Sequence, residues 1–79
     1  MIPLNEHTTE ILGMPNFMAA AIAHGLRLLG HKIPEKSEVE QAHAIHWMLG
    51  HYELHGAAWK QSAGFELAGA TQRQGTGDV

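Results

Sequence analysis

The stretch from Ser37 to Gly56 constrains the fold most, because it carries the start, the faces and the end of one long helix. Ser37 and Glu40 have the spacing of a capping box, in which each side chain bonds the backbone amide of the other residue. Gly56 is typical of a helix end, since glycine adopts the positive φ of that position without a steric penalty. We therefore predict one long central helix between these two signals.

The apolar residues of this helix fall on two opposite faces when successive residues are placed about 100° apart. The main stripe consists of Ala42, Ile45, Met48, Leu49 and Tyr52. The narrower second group consists of Val39, Trp47 and Leu54, with Gly50 among them. We interpret the main stripe as core, and the second group as a surface that meets another helix, a second subunit or a partner.

The whole pattern predicts an all-α protein: a three-helix domain over residues 1–70, built on an antiparallel helical hairpin. The predicted segments are an irregular N-terminal arm (1–14), helices over about 15–29, 38–55 and 57–70, and a disordered C-terminal tail (71–79). Pro15 or Asn16 can begin the first helix and Gly30 can end it, and the short connection that follows favours the hairpin. The inward stripe of the third helix consists of Trp59, Ala63, Leu67 and Ala70.

Composition excludes several classes of protein. The chain has 79 residues, a formal net charge of −3, five Lys and Arg residues and no cysteine. The charge argues against binding to nucleic acid, and the lack of cysteine excludes disulfides and thiolate metal sites. The longest apolar run, Phe17 to Ala23, is too short to span a bilayer, and the N-terminus does not have the pattern of a signal peptide. We expect a cytoplasmic protein that does not bind membranes.

The histidines are candidate metal ligands. His51 and His55 are four residues apart on the central helix, which places two imidazoles side by side, and Glu40 and His43 have the spacing of a di-metal carboxylate motif. A structural zinc site needs four ligands and a catalytic site generally needs three. The favoured interpretation is therefore solvated or hydrogen-bonded histidines, and no cofactor is expected.

Nucleophilic catalysis has little support in the sequence. The serines are Ser37, assigned to the helix cap, and Ser62. The only aspartate is Asp78, in the predicted tail, so a Ser/His/Asp triad cannot be assembled from the ordered residues. No strand is predicted, so no phosphate-binding loop can follow one. We expect that the protein is not an enzyme.

The second face of the central helix is the predicted interface, formed by Val39, His43, Trp47 and Leu54. Tryptophan is enriched at protein interfaces, and Trp47 and Leu54 have the i, i+7 spacing of anchors in helix-in-groove recognition. A chain this small has few residues with which to cover a second apolar face. We therefore expect a homodimer, a complex with another protein, or both.

Short motifs between Ile11 and about Leu67 carry a family resemblance. They are Ile11-Leu12-Gly13, Pro15, Phe17, Ile22-Ala23, Leu26-Arg27, Gly30-His31, Ile33-Pro34, Glu38, Glu40-Gln41-Ala42, Ile45-His46-Trp47, His55-Gly56 and Trp59. In these motifs the chain resembles small proteins encoded by tailed phages and prophages. The resemblance implies an origin and a place in the host cytoplasm, but no activity. It also implies an acidic residue directly after Gly56 as the cap of the third helix, whereas this chain has Ala57 there.

Three functional hypotheses follow. The first is a non-catalytic phage accessory protein that binds and occludes a host or phage protein. The second is a structural homo-oligomer that binds a small ligand. The third, and weakest, is a histidine-based metal-binding protein.

Overall fold

The computed structural model describes the backbone of residues 2–77 and the side chains of residues 2–70. Its elements are α1 (Glu6–Leu12), α2 (Asn16–Leu28), α3 (Ser37–His55) and α4 (Trp59–Gly77), with a 3₁₀ turn at Gly56–Ala58. No strand occurs in the described part of the chain, which confirms the all-α prediction. The tail predicted to be disordered, residues 71–79, is helical up to Gly77, where α4 ends, and residues 78 and 79 lie outside the described part of the chain.

The central helix α3 contacts each of the other three helices, and α2, α3 and α4 also pack against one another. The predicted pairing of the first two main helices, now α2 and α3, is therefore confirmed. The third main helix begins at Trp59 instead of Ala57 because the intervening residues, Gly56–Ala58, form the 3₁₀ turn. Gly56 has the predicted positive φ, 57°, although its ψ of −129° lies outside the left-handed helical region.

The N-terminal arm is helical over Glu6–Leu12, so the prediction of an irregular arm was wrong there. The helix begins with a capping box: the Asn5 side chain accepts from the amide of Thr8, and the Thr8 hydroxyl accepts from the amide of Asn5. Thr8 and Ile11 are both fully buried. A helix of seven residues is not stable alone, so burial against the rest of the fold holds α1 in place.

The end of α2 confirms the role predicted for Gly30. The amide of Gly30, at a φ of 102°, donates to the Arg27 carbonyl, and the amide of His31 donates to the Leu26 carbonyl. These two bonds make a Schellman motif, which satisfies carbonyls that the helix end leaves free.

The capping box predicted at Ser37 was wrong. Lys36 is the N-cap residue of α3, and its side chain makes no capping hydrogen bond. The Glu40 carboxylate instead lies 2.7 Å from Nη2 of Arg27, on α2. Arg27 also donates from Nε to the carbonyl of Ile33, in the connection between the helices. Glu40 therefore ties α2 to α3 instead of capping its own helix.

The inward face of α3 also differs from the predicted apolar stripe. Ala44 is the buried residue of this helix, whereas Ala42, predicted as core, is exposed. Ile45 and Met48 do pack against the core, as expected. His51, which belongs to neither predicted apolar face, faces α4 and bonds to Ser62. An inward face that mixes alanine with hydrogen-bonded polar side chains gives no clear apolar period, which is why the sequence misplaced it.

The core lies between α2 and α3 and consists of Met14, Ala19, Ile22, Ala23, Leu26, Ile33 and Ala44. Small side chains let the helices approach closely: a Cβ on Gly25 would lie 3.0 Å from Cδ2 of Leu67, on α4. The stripe predicted for α4 is confirmed, with Trp59, Ala63 and Ala70 buried and Leu67 half-buried.

Candidate functional site

The four predicted interface residues lie on or beside the outward face of α3. Leu54 is 81% exposed, His43 is exposed, and Val39 and Trp47 are half-buried. Trp47 also packs against the core, so it is less free than the sequence suggested. The four residues stay the predicted interface, now with Leu54 as the side chain that projects most.

An open hollow of about 380 Å³ lies on this side of the molecule. Its lining consists of Leu26, His31, His43, His46, Trp47, Gly50, His51, Leu54 and Glu66. Gly50 leaves the hollow open, because a Cβ at this position would meet no neighbouring atom within 4 Å. Three of the predicted interface residues, His43, Trp47 and Leu54, therefore border one depression, which Val39 does not line.

Hydrogen bonds between α3 and α4 fix one wall of this hollow. The indole N–H of Trp47 donates to Oε2 of Glu66 at 3.0 Å. The His51 ring meets the Trp47 ring edge to face, with centroids 4.6 Å apart, and its Nε2 lies 3.0 Å from Oε1 of Glu66. On its other side, Nδ1 of His51 lies 2.8 Å from Oγ of Ser62. We call Trp47, His51, Ser62 and Glu66 the interhelical quartet.

The sequence analysis did not predict this quartet, although the spacing of its members within each helix is visible in the sequence. Trp47 and His51 are four residues apart on α3, and Ser62 and Glu66 are four residues apart on α4, so each pair shares a helix face. Glutamate can take the place of aspartate as the acid of a triad, and Glu66 is four residues from Ser62. Which face of α4 meets which face of α3 depends on tertiary packing, and no local pattern carries that information.

The candidate metal ligands do not converge. The rings of His51 and His55 stack with centroids 5.9 Å apart, but both nitrogens of His51 already face Ser62 and Glu66. Glu40 is paired with Arg27, while His43 is exposed. Within the described residues, no group of three or more histidine or acidic side chains is arranged to hold a metal ion.

Two further apolar surfaces were not singled out by the sequence. A groove of about 440 Å³ runs where α1 and α2 meet α3 and α4, and Met14, Met18, Met48 and Trp59 are among its lining residues. The outward face of α2 is also apolar. It carries Phe17, which is 78% exposed, with exposed Ala20, Ala21 and His24 and half-buried Leu28.

Comparison with protein-family models, with curated proteins and with solved structures finds no match to this chain. The phage resemblance therefore stays a prediction that rests on the motifs themselves. None of the helices in the described part of the chain is both long and apolar enough to cross a membrane.

Proposed function

We propose that this chain is a binding protein, of phage origin, that covers a surface of another phage or host protein, an action that needs no catalysis. The observation that supports this most is the hollow at Trp47, Gly50 and Leu54. Its surface is mostly apolar, although four histidines and Glu66 also line it, and Trp47 and Leu26 connect it to the core. A surface of this kind marks an interaction site more often than a bare solvated face.

Two modes of binding are conceivable: a side chain of the partner enters the hollow, or α3 inserts into a groove of the partner. The hollow favours the first mode. Trp47 is held by its bond to Glu66, so its rotamer does not have to be ordered on binding. Gly50 provides the space, and Leu54 projects at the rim. The sequence predicted two projecting anchors, Trp47 and Leu54. In the proposed complex Trp47 is instead a rigid wall of the hollow, and Leu54 is the projecting anchor.

Charge indicates the chemistry of the partner. The α3 helix contains Glu38, Glu40 and Glu53 and neither Lys nor Arg. Glu40 is paired with Arg27, but Glu38 and Glu53 are exposed, and Glu66 at the hollow is 40% exposed. The fitting partner presents a large apolar side chain flanked by Lys or Arg. Complementary charge of this kind accelerates association and makes it sensitive to salt.

A matched pair of glycine variants tests the proposal. Gly50→Leu fills the hollow, and Gly64→Leu places the same side chain on α4, where a Cβ also meets no neighbouring atom within 4 Å. Both changes remove a helix-interior glycine, which gives about 0.5–1 kcal/mol of stability. Tagged wild type and both variants are used to capture proteins from a bacterial host. We expect a partner that wild type and Gly64→Leu retain and Gly50→Leu loses, more weakly in high salt. Equal capture by all three would contradict the proposal.

The second candidate is a homodimer that binds a small apolar ligand, favoured by the outward face of α2. A second copy could cover Phe17 and Leu28, and the small residues between them would allow close helix approach. The methionine-lined groove beside Met18 and Met48 is the ligand site in this hypothesis. Light scattering distinguishes the two candidates: a dimer that Phe17→Glu converts to a monomer supports the second, and a wild-type monomer excludes it.

A further inference from the structure

Three members of the interhelical quartet form a chain of hydrogen bonds that sets the proton positions on His51. Its Nε2 lies 3.0 Å from the Glu66 carboxylate, and its Nδ1 lies 2.8 Å from the Ser62 hydroxyl. An ionised carboxylate can only accept, so the neutral imidazole carries its proton on Nε2. Its Nδ1 is then an acceptor, and the Ser62 hydroxyl donates to it.

The fourth member orients the acid. The Trp47 N–H occupies Oε2 of Glu66, which leaves Oε1 for His51. The His51 side chain is only 11% exposed, so its ring is held between α3 and α4. A hydroxyl bound to a base, and a base held by a carboxylate, are the parts of an activated serine nucleophile. In the serine proteases Nε2 of the histidine faces the serine, whereas here Nδ1 of His51 faces Ser62. The roles of the three groups are the same.

Ser62 is also accessible from one side. It lines a shallow hollow of about 310 Å³ together with His55, Ala58, Gln61 and Phe65. Phe65 is 74% exposed and gives this hollow an apolar wall. This hollow is separate from the one at Gly50, so a partner bound there does not need Ser62.

We propose that Ser62 is a reactive nucleophile that accepts a short apolar acyl group from an activated ester. Oγ of Ser62 forms a bond to the ester carbonyl carbon, and its proton passes to Nδ1 of His51. The bond from that carbon to the leaving oxygen breaks, and His51 returns the proton to the departing alcohol. Water, deprotonated in turn by His51, then hydrolyses the acyl-serine to the carboxylic acid and regenerates the hydroxyl.

The helical setting limits the substrates to reactive ones. Ser62 lies in the continuous helical run formed by the 3₁₀ turn and α4, where backbone amides are committed to the helix. Such amides do not form an oxyanion hole, and a single missing oxyanion donor lowers rates by about 10²–10³-fold. The expected substrates are therefore esters with good leaving groups, turned over slowly.

The experiment uses a fluorophosphonate probe, which forms a bond from phosphorus to Oγ and loses fluoride, followed by mass spectrometry of the full chain. Ser37, which is exposed, is the internal control because the chain has no other serine. We expect one adduct, on Ser62, none on Ser37, and release of p-nitrophenol from p-nitrophenyl acetate.

Glu66→Gln separates reactivity from a purely structural role. Its amide oxygen still accepts from Trp47, but its amide nitrogen donates to Nε2 of His51 and moves the ring proton to Nδ1. We expect labelling at Ser62 to fall about tenfold or more, because the wrong tautomer cannot take the hydroxyl proton. Ser62→Ala should abolish the adduct, and Ser37→Ala should leave it unchanged. No adduct on Ser62 in the wild type, or equal labelling of wild type and Glu66→Gln, would overturn the proposal.

Discussion

Trp59 illustrates how single residues determine this fold. Its side chain is 3% exposed, and its indole N–H donates to Nδ1 of His7 at 3.0 Å. The burial of Trp59 follows from its place on an apolar stripe, and the sequence predicts it. The partner does not follow, because His7 is 52 residues away in the chain and lies in an arm with no clear period. Tertiary packing determines long-range polar pairs of this kind, so the sequence does not predict them.

Substitution of His7 tests the bond to Trp59. His7→Phe keeps a ring but leaves the buried indole N–H without an acceptor, which costs about 1–3 kcal/mol. His7→Asn places an amide oxygen close to the position of Nδ1 and should cost clearly less. Urea denaturation of the two variants measures the difference in the free energy of unfolding. Equal losses of stability would show that the ring contacts, and not the acceptor, hold Trp59.

At the scale of whole elements, the sequence predicted three of the four helices but misplaced the inward face of α3. The ends of α2 follow from Pro15 and Gly30, which act locally. The faces of α2 do not follow, because alanine occurs on both sides: Ala23 is fully buried and Ala21 is exposed. Ala19 and Ala23 are buried because they allow helices to pack closely, a property that hydrophobicity alone does not report.

The short helix α1 gives a prediction from two adjacent residues. Ile11 and Leu12 are both apolar and adjacent in the chain, but Ile11 is fully buried and Leu12 is 48% exposed. Ile11→Ala should cost about 2–5 kcal/mol, as large-to-small changes in a core do. Leu12→Ala should cost well under half of that. Thermal melts followed by circular dichroism provide the comparison, and a Leu12→Ala loss as large as that of Ile11→Ala would contradict the position of α1.

At the scale of the whole molecule, α3 joins the other main helices on one side and carries the proposed binding surface on the other. Its inward side is tied to α2 by Glu40 and to α4 by His51, so the hollow rests on a helix that is fixed from both neighbours. Its outward side, with Gly50 and Leu54, is the surface that we propose for the partner. Exposed Phe65 on α4 borders a different hollow, which makes it a control of nearly equal exposure.

Photo-crosslinking from these two positions tests the proposed binding surface most directly. A benzophenone amino acid replaces Leu54, which is 81% exposed, or Phe65, which is 74% exposed, and each protein is irradiated in bacterial host cells. We predict a discrete adduct with one protein from position 54, its loss when Gly50→Leu is added, and no such adduct from position 65. Adducts of equal yield from both positions, or none from position 54, would contradict the assignment of the hollow as the binding surface.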